Sequence, residues 1–376
     1  MRTTLLLIAS VLVAAGATTQ PGTGPSATDW PAFHGGGAML GVAPDAPAPP
    51  LKVLWTYRTN DKERAGVDGG AVIVGNSVYL VDNKGTVHAI DLKTGKARWK
   101  TEIEDTFETP PLVLGGRVIV CDMSGVVHAL NAVDGKKFWE YKSDGPMHAG
   151  ANGVGDRVLI ANDQALIGCL EAATGKELWT ARAGDRVNSA PTVANGLVYA
   201  AGCDSAVTVV RLEDGKEKLS VGVGAVAPGS AAVTGDRFVV GTDGGKVVCK
   251  SLEGKDLWIY EGVEGGAMVF GTPAVAEGLV VVGARDQTVH AIDLASGKGQ
   301  WKFQTNGDVD GSVAIAAGRV YVCSRDKKLY VLDLKTGKEL WQYRAAGSLG
   351  AGPALTREVV VIADSSGNVV CLGPNR

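Results

Sequence analysis

The chain has 376 residues, 45% hydrophobic and 20% charged, with a net charge of −3, which excludes a disordered chain and, lacking a basic excess, a nucleic-acid binder. Its 52 glycines, about twice the usual ~7% and without a collagen period, call for many turns and many short strands. Six cysteines with no CxxC spacing and no adjacent pair remove zinc ribbons and thioredoxin-like redox motifs.

At the start, Arg2 precedes an apolar run from Leu5 to Ala15, which ends in Ala15-Gly16-Ala17. This is the layout of a secretory signal, and the run is too short for a comfortable membrane span. Residues 1–17 are therefore read as a signal peptide. The mature chain is expected to be exported, periplasmic or extracellular, with no transmembrane segment. No cysteine near the cleavage site offers a lipid anchor. Residues 18–50 hold seven of the fifteen prolines and read as an extended strap or linker. Within them, Trp30-Pro31-Ala32-Phe33-His34 reads as a strap packed on the repeats downstream.

From residue 51 to 376 the chain repeats. Trp55, Trp99, Trp139, Trp179, Trp258, Trp301 and Trp341 recur at gaps of 44, 40, 40, 79, 43 and 40 residues. The long gap spans two units, with Leu219 in place of a Trp. Phrases such as IDLKTGKARW (90–99), LEAATGKELW (170–179) and LDLKTGKELW (332–341) read as strand, turn, strand, and the Gly supplies the positive φ of a tight turn. A second pair of strands with period-2 apolar patterning lies upstream in each unit. Four short strands per ~40 residues predict an all-β, eight-bladed β-propeller of four-stranded antiparallel blades.

Inner strands are expected to begin near Asp68, Glu108, His148, Asn188, Pro228, Phe270, Asp310 and Gly350. The last unit has only three strands, and the Trp55 segment LKVLWTYRT is a lone outer strand. This N-terminal strand is expected to complete blade eight and close the ring, which removes an exposed edge. The Trp rings are expected to be buried between blades, with Ala89, Ala129, Cys169 and Ala291 making room for them. Blade four lacks its Trp, and the turn at 251–254 is one residue short. Drift explains this, or a looser edge that accepts an added strand.

Two rows of residues flank the inner strand starts. Val67, Phe107, Met147, Val187, Ala227, Val269, Val309 and Leu349 are all apolar and are expected to pack between blades. The next row then approaches the axis, placing Asp68, Glu108, His148, Asn188 and Asp310 around one funnel. Their crowded carboxylates would raise one another's pKa or attract a cation, and Arg186 is placed to neutralise one of them. The funnel reads as a solvated rim or as a site for a cation or small polar ligand. His88, His128 and His290 occupy one repeat position in three different blades, so they do not read as a metal cluster. The near-periodic acids Asp82, Asp122, Asp163, Asp204, Asp243, Asp286, Asp326 and Asp364 fit turn chemistry better than calcium. Cys121 and Cys323 read as small buried hydrophobes, and cysteines at equivalent positions in separate blades are poor disulfide partners. No catalytic or metal-ligating residue is assigned.

AIDLKTGKARW (89–99) and AIDLASGKGQW (291–301) resemble the A-x-D-x-x-[TS]-G-K-x-x-W phrase of pyrroloquinoline-quinone-type (PQQ-type) propellers, and the resemblance covers about residues 51–374. One branch of that family comprises quinoprotein dehydrogenases, which bind the quinone and calcium. The other comprises non-enzymatic propellers similar to the outer-membrane assembly factor BamB. The bare single propeller resembles the second branch. That resemblance implies a monomeric, exported protein-binding or scaffold module of the cell envelope, with envelope proteins as partners and no cofactor. The alternatives are a PQQ- and calcium-dependent oxidoreductase and a small-ligand-binding propeller. The dehydrogenases carry a disulfide of neighbouring cysteines over the cofactor, and no such pair exists here. Only Trp30 lies outside the repeat.

Overall fold

The tight turns and the period-2 strands of each unit build one antiparallel sheet. The computed structural model describes residues 29–60 and 65–375, and the signal peptide expected at 1–17 lies outside them. Blade two shows the pattern: Leu112–Leu114 innermost, then Arg117–Cys121, Val126–Asn131 and, outermost, Lys137–Lys142. The second and third strands are buried on both faces, and the outer strand alternates exposed and half-buried residues. Eight such sheets form the propeller.

The N-terminal strand Leu51–Arg58 pairs antiparallel with Asn368–Pro374, from Leu51 opposite Pro374 to Arg58 opposite Asn368. Blade eight is thus completed by Leu51–Arg58 from the N-terminal side of the ring, as the orphan Trp55 segment implied.

The innermost strands start three or four residues later than expected, at Ala71, Leu112, Asn152, Thr192, Ala232, Ala274, Ala314 and Ala354. Glycine and proline intervene. Pro110, Pro111, Pro191, Pro273 and Pro353 have no N–H for a ladder. The glycines let neighbouring bends close in around the axis, since a Cβ on Gly69 would lie 2.2 Å from the Thr109 carbonyl carbon. Asp68 and its equivalents therefore sit on bends ahead of the strands.

The Trp of one blade docks on the glycine turn of the next. Trp139 Nε1 donates to the Ala172 carbonyl at 3.1 Å, and its ring lies under Gly175, where a Cβ would come within 2.5 Å of it. The same pairing joins Trp55 to Gly95, Trp99 to Gly135, Trp179 to Gly215, Trp258 to Gly297 and Trp301 to Gly337. Gly175 thus meets two demands, a φ of +73° and a seat for an indole. Ala89, Ala129, Cys169 and Ala291 are the cross-strand partners of their Trp residues. Full burial is not observed for Trp99, Trp139, Trp301 and Trp341, which are half-buried at the rim of the disc.

Residues 30–43 wind inside the ring. The strap meets the blades in ring order through its backbone. Carbonyls of Trp30, Pro31, Gly37, Ala38, Leu40 and Gly41 accept the N–H groups of Ile73, Val113, Val193, Val233, Val275 and Ile315 at 2.8–3.0 Å. These donors occupy one repeat position on the innermost strands of blades one, two, four, five, six and seven. In blade three the buried Asn152 side chain replaces the backbone contact. Its amide exchanges hydrogen bonds of 3.0 Å with Gly37 N–H and C=O. Val42–Ala43 then pairs parallel with the innermost strand of blade seven. Trp30, Ala32 and Met39 are buried, so the strap fills the channel.

Two outcomes test this architecture. Removing residues 1–60 strips the clasp and the strap, and the melting temperature falls by on the order of 10 °C or the protein aggregates. A truncated chain that melts like one beginning at Asp29 would contradict closure. Trp139→Ala costs about 3 kcal/mol. Gly175→Ala is also destabilising, but in the Trp139→Ala background its cost drops to the φ strain alone, about 1–2 kcal/mol. Strict additivity in denaturant midpoints would refute the docking.

Candidate functional site

The apolar row behaves as the alternation requires. Val67, Phe107, Met147, Val187, Ala227, Val269, Val309 and Leu349 are all buried, each in a cluster shared between neighbouring blades. The following residue in each blade then faces the axis. Asp68, Glu108, His148, Asn188 and Asp310 all line one cavity of about 310 Å³, completed by Pro228, Phe270 and Gly350. Phe33 of the strap also lines it. Because the strap fills the channel behind, the mouth is a cup rather than a pore.

Charge is unevenly distributed around the cup. On blades two and three, His148 Nδ1 lies 2.9 Å from Glu108 Oε2, and His148 Nε2 lies 3.5 Å from Asp163 Oδ2. Among the described residues Asp68 on blade one has only the Asn83 amide, at 3.5 Å. On blades six and seven, the buried Asp310 carboxylate accepts from Arg285 Nε at 2.8 Å and Nη2 at 3.3 Å, and from Arg325 Nε at 2.5 Å. The Arg285 guanidinium also sits over the Phe270 ring, 5.4 Å from its centre.

These pairs correct two expectations. Burial pushes the Asp310 pKa up, but hydrogen bonds from Arg285 and Arg325 outweigh it and hold the carboxyl below its ordinary value. Crowding among carboxylates does not govern it, because two guanidiniums stand beside it. Arg186 is not the neutralising cation. It lies on an exposed bend whose carbonyl accepts the Cys203 N–H, and among the described residues it forms no ion pair with the mouth. Arg285 and Arg325 were missed. The available signal was their position 40 residues apart, each just ahead of a turn acid.

Several polar atoms at the cup are buried without a partner among the described residues. They are Thr109 Oγ1, Asn188 Oδ1 and Ser230 Oγ, all on lining residues, and Asp163 Oδ1 behind His148. Thr109 and Ser230 are 5% and 1% exposed. A buried unpaired hydroxyl costs about 1–3 kcal/mol, which a bound partner would relieve.

The other polar features are structural. His88 bridges Tyr57 at 2.9 Å and Asp82 at 2.8 Å, and His290 bridges Tyr260 and Asp286 in the same way. His128 joins Asp122 and Glu140. Each histidine is thus held by an acid of its own blade. Asp82, Asp122, Asp204, Asp286, Asp326 and Asp364 accept N–H groups of their own turns, whereas Asp163 faces His148. All six cysteines are free thiols.

The family profile described as outer membrane protein assembly factor BamB, a PQQ-repeat profile, matches residues 52–154, 124–267 and 253–375. The chain belongs to this family. No functionally curated protein matches it. The BamB-family fold here is similar to the quinohemoprotein alcohol dehydrogenase of Comamonas testosteroni, with a TM-score of 0.77 at 15% identity over 93% of this chain and 81% of that one. A europium-containing methanol dehydrogenase gives 0.77 at 12% identity over 93% and 98%. The computationally designed Ika8 protein gives 0.75 at 17% identity over 86% and 99%. At these identities the likeness is one of fold.

The residues of the cup do not fit a calcium ion. Calcium takes six to eight oxygens at close range. Here both Asp310 oxygens are held by guanidiniums, Glu108 is paired with His148, and Asp68 stands on another blade. Among the described residues no group of three or more His, Cys, Asp or Glu converges on one point.

Beneath the cup lies His34. Its Nε2 is 3.2 Å from the Pro273 carbonyl, which only accepts, so that nitrogen carries the hydrogen. Burial pushes the His34 pKa down to about 4 from 6.5. Between those values the unfolded chain binds more protons. His34 therefore adds stability above pH 6.5 that is lost as the pH falls through 4, about 3 kcal/mol in all. Denaturant midpoints at pH 7 and 4.5 check this. The native chain loses about 2 kcal/mol more than His34→Gln across that step, and equal losses would contradict the buried neutral imidazole.

Proposed function

We propose that the chain is an exported, non-enzymatic binding propeller of the cell envelope whose receptor site is the cup. The observation that carries this reading is a closed-ended cavity of mixed polar and apolar lining, with the buried hydroxyls of Thr109 and Ser230 left unpaired among the described residues. Pockets that take small ligands are concave, largely pre-formed and equipped with a few convergent polar groups. Asp68, Glu108, His148, Asn188 and Asp310 are the residues proposed to contact the ligand, with Arg285 and Arg325 in place of Arg186. Family membership is what supports export and an envelope setting. A scaffold role towards envelope proteins rests on that membership alone, whereas the cup favours a small polar ligand.

The second reading is a quinoprotein oxidoreductase, favoured by the likeness to dehydrogenase folds over 93% of the chain. One experiment separates the two. Purified protein is titrated with PQQ and calcium, and dye reduction is followed with alcohols and sugars. In parallel, small polar compounds are screened by thermal shift. The binding reading expects no dye reduction and a rise of a few degrees with a cup ligand, which ligand linkage produces at saturation. Asp68→Asn combined with Glu108→Gln abolishes that rise. Saturable quinone binding with substrate-dependent dye reduction would establish the oxidoreductase instead.

A further inference from the structure

Ring geometry sorts the charges of the cup into two opposed arcs. In an eight-bladed ring, positions four blades apart face one another. Glu108 on blade two therefore faces Phe270 on blade six, and His148 on blade three faces Asp310 on blade seven, while Arg285 and Arg325 stand behind this lining on Phe270 and Asp310. One arc, blades one to three, carries Asp68 and Glu108, with Asp163 behind His148. The other carries the Arg285 and Arg325 guanidiniums, Asp308 near Arg285, and the Asp310 carboxylate. Both oxygens of that carboxylate are occupied in holding the guanidiniums in place. Arg325 is the guanidinium of this arc with donors to spare. Neither Nη of Arg325 has an acceptor among the described residues, and its Nη2 would lie 3.9 Å from a Cβ on the lining residue Gly350.

Resting on the reading of the cup as a receptor site, we propose that its ligand is a small zwitterion, an α-amino acid or a dipeptide. The ammonium end lies towards Asp68 and Glu108 and the carboxylate end towards Arg325 and Arg285. A simple cation would leave the guanidinium arc unanswered. A simple anion would face the carboxylates of Asp68 and Glu108, of which Glu108 is already bonded to His148. A molecule with both charges answers both arcs, and each charge is stronger inside a partly desolvated cup than in bulk water. Arginine is suited to the carboxylate end, because its planar fork matches that group.

The remaining groups agree with this ligand. Asn188 Oδ1 is an unpaired acceptor, which an ammonium or peptide N–H satisfies. The unpaired, buried hydroxyls of Thr109 and Ser230 belong to lining residues and can serve a peptide or carboxylate oxygen once a ligand displaces the groups that cover them. Phe33 on the floor and Phe270 on the wall provide apolar surface for a side chain. A cavity of about 310 Å³ is at the small end of ligand sites, which suits one or two residues rather than a longer peptide.

The test is calorimetric titration of the full chain with three forms of alanyl-phenylalanine: free, N-acetylated and C-terminally amidated. The twenty standard amino acids are screened alongside at about 10 mM, a concentration that detects affinities weaker than millimolar. The proposal expects a free form to bind and each capped dipeptide to bind at least about tenfold more weakly than the free dipeptide. Glu108→Gln should erase the penalty of the acetyl cap and leave that of the amide. Arg325→Gln should do the reverse. Unchanged melting temperatures confirm that both variants are folded. Equal binding of free and capped forms, or no binding by any amino acid or by the free dipeptide, would overturn the proposal. In that second case, a thermal shift with a polyol or another uncharged polar compound leaves the binding reading standing. Quinone-dependent dye reduction would remove both.

Discussion

Eight innermost strands turn unpaired backbone edges towards one axis, and the rest of the central architecture depends on how those edges are satisfied. A buried N–H without an acceptor costs about 1–3 kcal/mol. The strap answers the same N–H position on six blades with its own carbonyls, and Asn152 answers for blade three with a side chain. Those contacts carry Trp30 to Gly41 around the axis in ring order. The strap is thereby both the inner partner of the blades and the floor beneath the mouth.

At the rim a second constraint acts between neighbours. An indole from one outer strand rests on the glycine turn of the next blade and donates to a carbonyl beside it. This contact is local and repeats, so it sets the spacing of the blades without regard to what the mouth does. The site arises where the repeat diverges. The axis-facing position is Asp, Glu, His, Asn, Pro, Phe, Asp and Gly in successive blades, all lining one cavity. Chemistry can vary there freely because the residue before it, always apolar and buried, holds the packing.

The sequence shows much of this because repetition exposes it. Seven Trp at near-constant spacing revealed the blades, and the orphan Trp55 strand revealed the clasp. The uniformly apolar residue ahead of Asp68, Glu108, His148, Asn188 and Asp310 located the mouth. The path of the strap was not legible, because it is held by backbone carbonyls that every residue possesses. The cations were misassigned for a related reason. Arg186 is close to Asn188 in sequence, whereas Arg285 and Arg325 reach Asp310 from turns 25 and 15 residues away, in the neighbouring blade and in its own. Strand starts were placed too early because the alternation continues through Gly69-Gly70 and Pro110-Pro111, although no ladder can form there.

Site-resolved amide hydrogen exchange at Val113, Val193, Val233, Val275 and Ile315 tests most directly whether the strap closes the propeller. If strap carbonyls hold these N–H groups, they exchange as slowly as the second-strand amides of the same blades, through the same cooperative opening. Exchange at the rate of exposed loop amides would show that the axis-facing edges are open to water. The channel would then have no floor, and the mouth would not be a cup.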